Sequence, residues 1–372
     1  MKKSASKKQT RLEKIMTEKL RIYPVFLPHA GCPFRCVYCN QRAVTACHAT
    51  GSTSTASGSA FIDHVLDHLT QVGEDARRAA VPGEIAFYGG TFTCLPPDTL
   101  KKILEASSPW VEEGVFTGIR FSTRPDAITP EICGLIEDYP VRTIELGVQS
   151  MCDEVLSQSR RGYTTEEVRN AAASVKAHGW ALGLQMMPGL PGDTRRRFLE
   201  SVTRVIGLSP DLVRLYPTLV LQDTLLAEWH RNGTYRPLTL HEAIIWCVPA
   251  YNAFLEADIP VARMGLHADP ELWKPGKVVG GPHHPSFGYL VRVYWWREQV
   301  DKKLKTEKEP KQKRRLILRI PQRSLSEVVG PHRTNILYWQ DKWRIDEVKV
   351  KGDAEMQARC FVCEWERKER EE

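Results

Sequence analysis

Nowhere in this chain do about 18 apolar residues run together, so the sequence contains no candidate for a membrane-spanning helix. The lysine-rich start, Met1-Lys2-Lys3-Ser4-Ala5-Ser6-Lys7-Lys8, has no apolar stretch behind it, which argues against a secretory leader. Cysteine is sparse, at ten in 372 residues, and a small disulfide scaffold is excluded. The expected compartment is the cytoplasm, where thiols stay reduced. The apolar fraction of 42% is ordinary for a globular protein, and the length suits one large α/β domain with a small companion.

A basic surplus over most of the chain is also missing. The net charge is +7, yet residues 1–21 hold eight Lys/Arg against two acids, and residues 302–323 hold ten against two. Subtracting both segments from the totals of 52 and 45 leaves 34 basic and 41 acidic residues, a net −7. Positive charge confined to a tail and a linker suggests attraction to a polyanion, or simply a solvated tether.

What the chain does have is Cys32, Cys36 and Cys39 in a C-x3-C-x2-C run. The fourth ligand of a structural zinc site is absent from the run. Three thiolates on one loop can instead hold three irons of a [4Fe–4S] cluster and leave the fourth iron open. An open iron can take the amino and carboxylate groups of S-adenosylmethionine (SAM) and pass it an electron. A strand-like run, Ile22-Tyr23-Pro24-Val25-Phe26-Leu27, leads into the loop, and Tyr38 stands just before the last cysteine. A zinc knuckle or unrelated reduced cysteines are the plainer alternatives. Spacing, aromatic and preceding strand together resemble the radical-SAM superfamily.

Strand-like runs at 23–28, 84–90, 119–125, 143–150, 181–189 and 212–221 alternate with amphipathic stretches at 62–71, 100–106, 130–138, 165–178 and 194–206. Such alternation predicts a parallel sheet with right-handed crossovers. The fold class is therefore α/β. The resemblance implies a partial (β/α)6 TIM-type barrel, with a helical extension and chemistry at the C-terminal strand ends. The polar stretch 45–54 reads as a loop. Domain boundaries are expected as a basic tail 1–20, barrel and extension 21–300, a charged linker 301–313 and a small α+β unit 314–372.

Motifs recur at those strand ends. Gly89-Gly90-Thr91 follows the second strand, where two glycines let backbone carbonyls approach a ligand. The resemblance implies that this pair meets the SAM ammonium, although Thr91 replaces the glutamate found in the family motif. Ser122 and Arg124 end the third strand, and the planar guanidinium suits the SAM carboxylate. Glu145 and Gln149 end the fourth as ribose or carboxylate partners, with Arg161 close behind. Gln185 and Met187 end the fifth, Met187 as an apolar neighbour for adenine.

Gly147-Val148-Gln149-Ser150, Arg161-Gly162, Met187 to Gly192, Leu215 to Val220 and Leu225 to Tyr235 together are similar to the branch that contains the catalytic subunit of Elongator. That branch modifies the wobble uridine of tRNA with acetyl-CoA and an acetyltransferase-like domain. Here no stretch is left for such a domain, and the cysteine spacing is the common short one. The resemblance implies a [4Fe–4S] cluster, SAM, an electron donor such as flavodoxin or ferredoxin, tRNA as a partner and no membrane.

In the tail, strand 316–320, helix 325–329, turn Gly330-Pro331-His332-Arg333, helix 334–343 and strand 345–350 resemble a KH module. Its Gly-x-x-Gly turn clamps a nucleic-acid backbone, and Arg333 stands here in place of the second glycine. Cys360 and Cys363 have no evident mate for a second metal, and His283-His284 read as loop residues. Three functions follow in order of preference: radical-SAM modification of RNA, radical-SAM oxidation of a small molecule such as a porphyrinogen, and non-catalytic RNA binding.

Overall fold

The computed structural model describes residues 21–30, 32, 35–40, 59–266, 274–306 and 314–367. The basic tail, the polar stretch 45–54 and residues 307–313 of the expected linker lie outside them. The chain begins β1 (Arg21–Ala30), α1 (Ser59–Ala79), β2 (Gly83–Gly90), α2 (Pro97–Glu112), β3 (Ile119–Thr123), α3 (Pro130–Ile136) and β4 (Val141–Gln149). It continues through α4 (Asp153–Gln158), α5 (Thr165–Ala177), β5 (Ala181–Met186), α6 (Arg195–Gly207) and β6 (Leu212–Leu215). Then follow β7 (Val220–Leu221), α7 (Leu225–Arg231), α8 (Leu240–Glu256), β8 (Val261–Met264), β9 (Val278–Gly280) and α9 (Phe287–Thr306).

Seven strands form one sheet in the order β1-β2-β3-β4-β5-β6-β8, with every neighbouring pair parallel. Consecutive residues Ile85, Ala86 and Phe87 are all buried, as expected of a parallel strand covered on both faces. The sheet is a curled half-barrel of the partial TIM type. Because the strands are parallel, all of their C-terminal ends share one rim. Side chains start the helices at that rim: Thr194 and Thr224 cap α6 and α7, accepting from Arg197 and Ala227 N–H. No helix among the described residues is long and apolar enough to cross a membrane.

Two elements of the barrel differ from the sequence expectation. The run 212–221 is not one strand. It leaves the sheet after Leu215, Tyr216 and Thr218 N–H bond to the Met186 and Pro188 carbonyls, and β7 then pairs antiparallel with β9. Pro217, which has no N–H to offer a ladder, sits at the break. The seventh sheet strand, β8, is short and only partly buried, so its four residues carry little periodic signal.

Helix α9 runs to Thr306, into the stretch expected to be linker. After it come β10 (Arg314–Pro321), α10 (Leu325–Val329), α11 (Thr334–Trp343), β11 (Glu347–Asp353) and β12 (Val362–Arg367). Central β10 pairs parallel with β11 and antiparallel with β12, a third strand that the sequence reading did not place. This unit is fastened to α9. Asp301 accepts from Tyr338 Oη at 2.8 Å, Lys342 Nζ at 2.6 Å and Trp343 Nε1 at 2.8 Å. Glu327 accepts from Arg292 Nε at 2.5 Å, and Arg297 lies between the rings of Tyr294 and Tyr338.

Candidate active site

The cysteine loop leaves β1 at the C-terminal rim and is anchored through its backbone. Cys39 N–H closes a turn on Cys36 O at 3.1 Å, and Val37 N–H reaches Ser159 O just beyond α4. From the other side, Leu226 N–H donates to Val37 O at 2.8 Å, and Asn40 Nδ2 donates to Gln222 O at 2.8 Å. Val37 completes this anchor by packing with Val220, Leu226, Ala227 and Tyr235. The extension after β6 therefore anchors the loop together with the barrel.

Two of the thiols meet polar side chains, one just after β2 and one in the segment between α4 and α5. Cys32 Sγ lies 3.2 Å from Thr91 Oγ1, directly after the Gly89-Gly90 pair. Cys36 Sγ accepts from Arg161 Nη1 at 3.0 Å, and the same nitrogen reaches Tyr38 Oη at 3.0 Å. Among the described residues no three His, Cys, Asp or Glu side chains gather closely enough to hold a single metal ion. Thiolates spread around a four-iron cube need no such convergence. The donor set, three cysteines on one anchored loop beside a buried guanidinium, fits a negatively charged cluster.

Around the loop, the strand ends deliver the other sequence candidates. Gly89, next to last in β2, has φ of 101°, a backbone conformation that glycine adopts freely and that turns the strand at the rim. Ser122 is half-buried on β3. Gln149, itself at φ 66°, accepts from Gln185 Nε2 at 3.2 Å, and Met187 N–H donates to Gln149 O at 2.9 Å. Gln185 and Met187 are half-buried, so this corner is neither sealed nor open.

Two candidates are engaged by protein partners. Arg124 forms a paired contact to Asp126, through Nε at 2.9 Å and Nη2 at 2.8 Å, and also donates to the Arg161 carbonyl. Glu145 lies one layer below the rim. Its Oε1 accepts from Arg120 Nη1 at 2.8 Å, Arg214 Nη2 at 2.9 Å and Tyr88 Oη at 2.9 Å, and Arg214 Nε lies 2.7 Å from Oε2. Glu84 lies beneath it, taking Arg120 Nε at 2.7 Å and Thr143 Oγ1 at 2.7 Å. Burial alone would push the Glu145 carboxyl up, but Arg214 and Arg120 hold it below the ordinary carboxylate range.

Sequence reasoning missed Arg120, Glu84 and Arg214. The signal was available, since each is a charged residue inside a strand whose neighbours are apolar. Asp193 was also missed as a site residue. It accepts from Gly189 N–H at 3.0 Å and Thr194 N–H at 2.9 Å, and burial raises its carboxyl to about 6.

The profile of the Radical SAM superfamily matches residues 26–205, and that of the Radical_SAM C-terminal domain matches 210–298. The chain belongs to the radical SAM superfamily. It is thus a radical SAM enzyme, and the superfamily uses a [4Fe–4S] cluster and SAM. The tRNA uridine(34) acetyltransferase of Dehalococcoides mccartyi is 33% identical over 129 residues, covering 32% of this chain and 27% of that protein. Elongator complex protein 3 of Bos taurus is 26% identical over 226 residues, covering 53% and 41%. The chain thus spans less than half the length of either relative. The solved archaeal Elp3 of Methanocaldococcus infernus, with an N-terminal deletion, superposes at a TM-score of 0.57. It covers 76% of this chain and 64% of that one at 20% identity, a likeness of fold.

Proposed function

We propose that this radical SAM enzyme modifies RNA, specifically tRNA, with its cluster on Cys32, Cys36 and Cys39 and SAM lying across the ends of β1 to β5. One observation carries the reading. The three-cysteine loop is fixed at the rim against Thr91 and Arg161, in a chain similar to a tRNA uridine(34) acetyltransferase and to Elongator complex protein 3. When bound, the cluster and SAM supply one-electron cleavage of a sulfonium and, through it, hydrogen-atom abstraction.

The chain's own residues bind and aim. The Gly89 and Gly90 carbonyls accept from the methionine ammonium. The Gln149 and Gln185 amides, with Ser122, offer hydrogen bonds to ribose, and Met187 gives adenine an apolar neighbour. Arg124 meets the SAM carboxylate only if it loosens its hold on Asp126. Thr91 stays with Cys32, and Tyr38 with Arg161. Beneath them, the Glu145 network fills the barrel with satisfied charge and keeps the floor of the site fixed.

RNA is held by phosphate contacts from basic segments and from the C-terminal unit, whose His332 and Arg333 are exposed in a left-handed turn. Electrons come from an external donor such as a flavodoxin or ferredoxin. The test is mass spectrometry of nucleosides in RNA from cells with and without this gene. A nucleoside that vanishes with the gene supports the reading. Identical profiles, together with SAM cleavage that tRNA leaves unstimulated, refute RNA as the substrate.

A further inference from the structure

We infer that Arg161 is the built-in countercharge of the iron–sulfur cluster, donating to the Cys36 sulfur and raising the cluster's reduction potential, rather than a contact of SAM. The inference rests on the assignment of the cluster to Cys32, Cys36 and Cys39.

Three arginines are buried among the described residues: Arg120, Arg124 and Arg161. Arg120 has Glu84 and Glu145, and Arg124 has Asp126. Arg161, 7% exposed, has no carboxylate among the described residues. Its Nε donates to Tyr163 Oη at 2.8 Å and its Nη2 to Gly147 O at 3.0 Å. Its Nη1 faces Cys36 Sγ and Tyr38 Oη, each at 3.0 Å. Its aliphatic and guanidinium face lies against the Tyr163 ring, 4.9 Å from the centroid.

A buried guanidinium without an anion is strongly unfavourable, so a chain that keeps one there has an anion to offer it. The group in hydrogen-bond reach that can carry negative charge is the Cys36 sulfur. A doubly positive iron–sulfur core held by three thiolates is net negative, and more so when reduced. Hydrogen bonds and nearby charge at the sulfurs are the levers that set such potentials. The rest of the shell is built to aim this one nitrogen. A Cβ at Gly147 would lie 2.7 Å from Gln149 Nε2 and in ordinary contact, at 3.4 Å, with Arg161 Nη2, so the glycine makes room for the Gln149 amide that packs beside the guanidinium.

The test is an EPR-monitored redox titration of the full chain, reconstituted anaerobically and kept free of SAM. Arg161→Gln is expected to lower the reduced-to-oxidised ratio at fixed potential at least tenfold, which is 59 mV for a one-electron couple. Arg161→Lys, which keeps the charge, should hold the ratio within threefold of wild type. If Arg161→Gln takes up no cluster, uptake by Arg161→Lys still supports the countercharge, whereas failure of both variants overturns it in favour of shape. A loaded Arg161→Gln with an unmoved potential and weakened SAM binding also overturns it, making Arg161 a SAM contact. A wild-type chain that takes up no cluster overturns the parent assignment as well, and that failure is visible before any variant is compared.

Discussion

Replacing Glu145 by glutamine keeps the side chain's shape and removes its charge, and the structure says which partner suffers. Arg120 retains Glu84 through Nε, whereas Arg214 keeps only the Tyr88 and Tyr216 hydroxyls, each at 2.9 Å. The Arg214 side chain is 11% exposed, so its charge would be left nearly buried without an anion. Removing one member of a buried ion pair costs roughly 3–5 kcal/mol, and the surviving hydroxyl bonds place this case near 3. Urea denaturation of the cluster-free chain at pH 7, read by linear extrapolation, gives the difference. Replacing both partners, as Glu145→Leu with Arg214→Met, should recover at least about 1 kcal/mol of the loss. The sign with pH is fixed too. The folded carboxyl lies below its unfolded value, so its stabilisation is present above the unfolded pKa and is lost as pH falls through the folded one. A Glu145→Gln variant within about 0.5 kcal/mol of wild type, but with weakened SAM binding, would refute this account and make Glu145 a cofactor contact.

Other predictions follow from the same geometry. Asp193 has a folded value of about 6, above its unfolded one, so stability falls as pH rises between roughly 4 and 6, by at most about 3 kcal/mol. Asp193→Asn should flatten that slope in parallel denaturation series at pH 4.5 and 7, and an unchanged slope counts against the burial argument. Asp301→Ala strips three donors of their acceptor and should cost about 2–3 kcal/mol, with protection from hydrogen exchange lost in both α9 and α11. Arg333→Ala should reduce the slope of log affinity for tRNA against log salt by about 1 and leave SAM cleavage without RNA intact. An unchanged slope would remove the turn from the RNA surface.

The order of the barrel was legible because each strand is short, apolar and followed by an amphipathic stretch, and parallel pairing then puts every strand end on one rim. The superfamily was legible from the cysteine spacing, the aromatic Tyr38 and the preceding strand taken together. Two things were not. Strand 212–221 looked continuous because Val213, Leu215, Leu219 and Val220 are all buried, although β6 and β7 serve different sheets. The partners of Glu145 were hidden for a different reason than that of Arg124. Asp126 is a neighbour in sequence, but Arg120 and Arg214 meet Glu145 only after strands β3, β4 and β6 come together. A linear reading sees a charged residue at a strand end and assigns it to the ligand. The folded chain shows that some such charges are already spent on each other.

Likewise, the tail reads as a tethered unit because lysines crowd the stretch before it. The fastening depends on Asp301, Glu327 and Arg297, three polar residues with partners 35 to 42 positions away in sequence. Nothing local marks them. Deleting the whole tail would therefore strip α9 as well, and single exposed substitutions such as Arg333→Ala are the cleaner probe.

The account's central claim is that Cys32, Cys36 and Cys39 hold a cluster with one iron open to SAM. Anaerobic reconstitution of the wild-type chain and the triple cysteine-to-alanine variant, followed by iron analysis and EPR of the reduced samples with and without SAM, tests it most directly. The account predicts about four irons per wild-type chain, a [4Fe–4S] signal that changes when SAM is added, and loss of both in the variant. A triple variant that keeps a full cluster, or a wild-type signal indifferent to SAM, would contradict it.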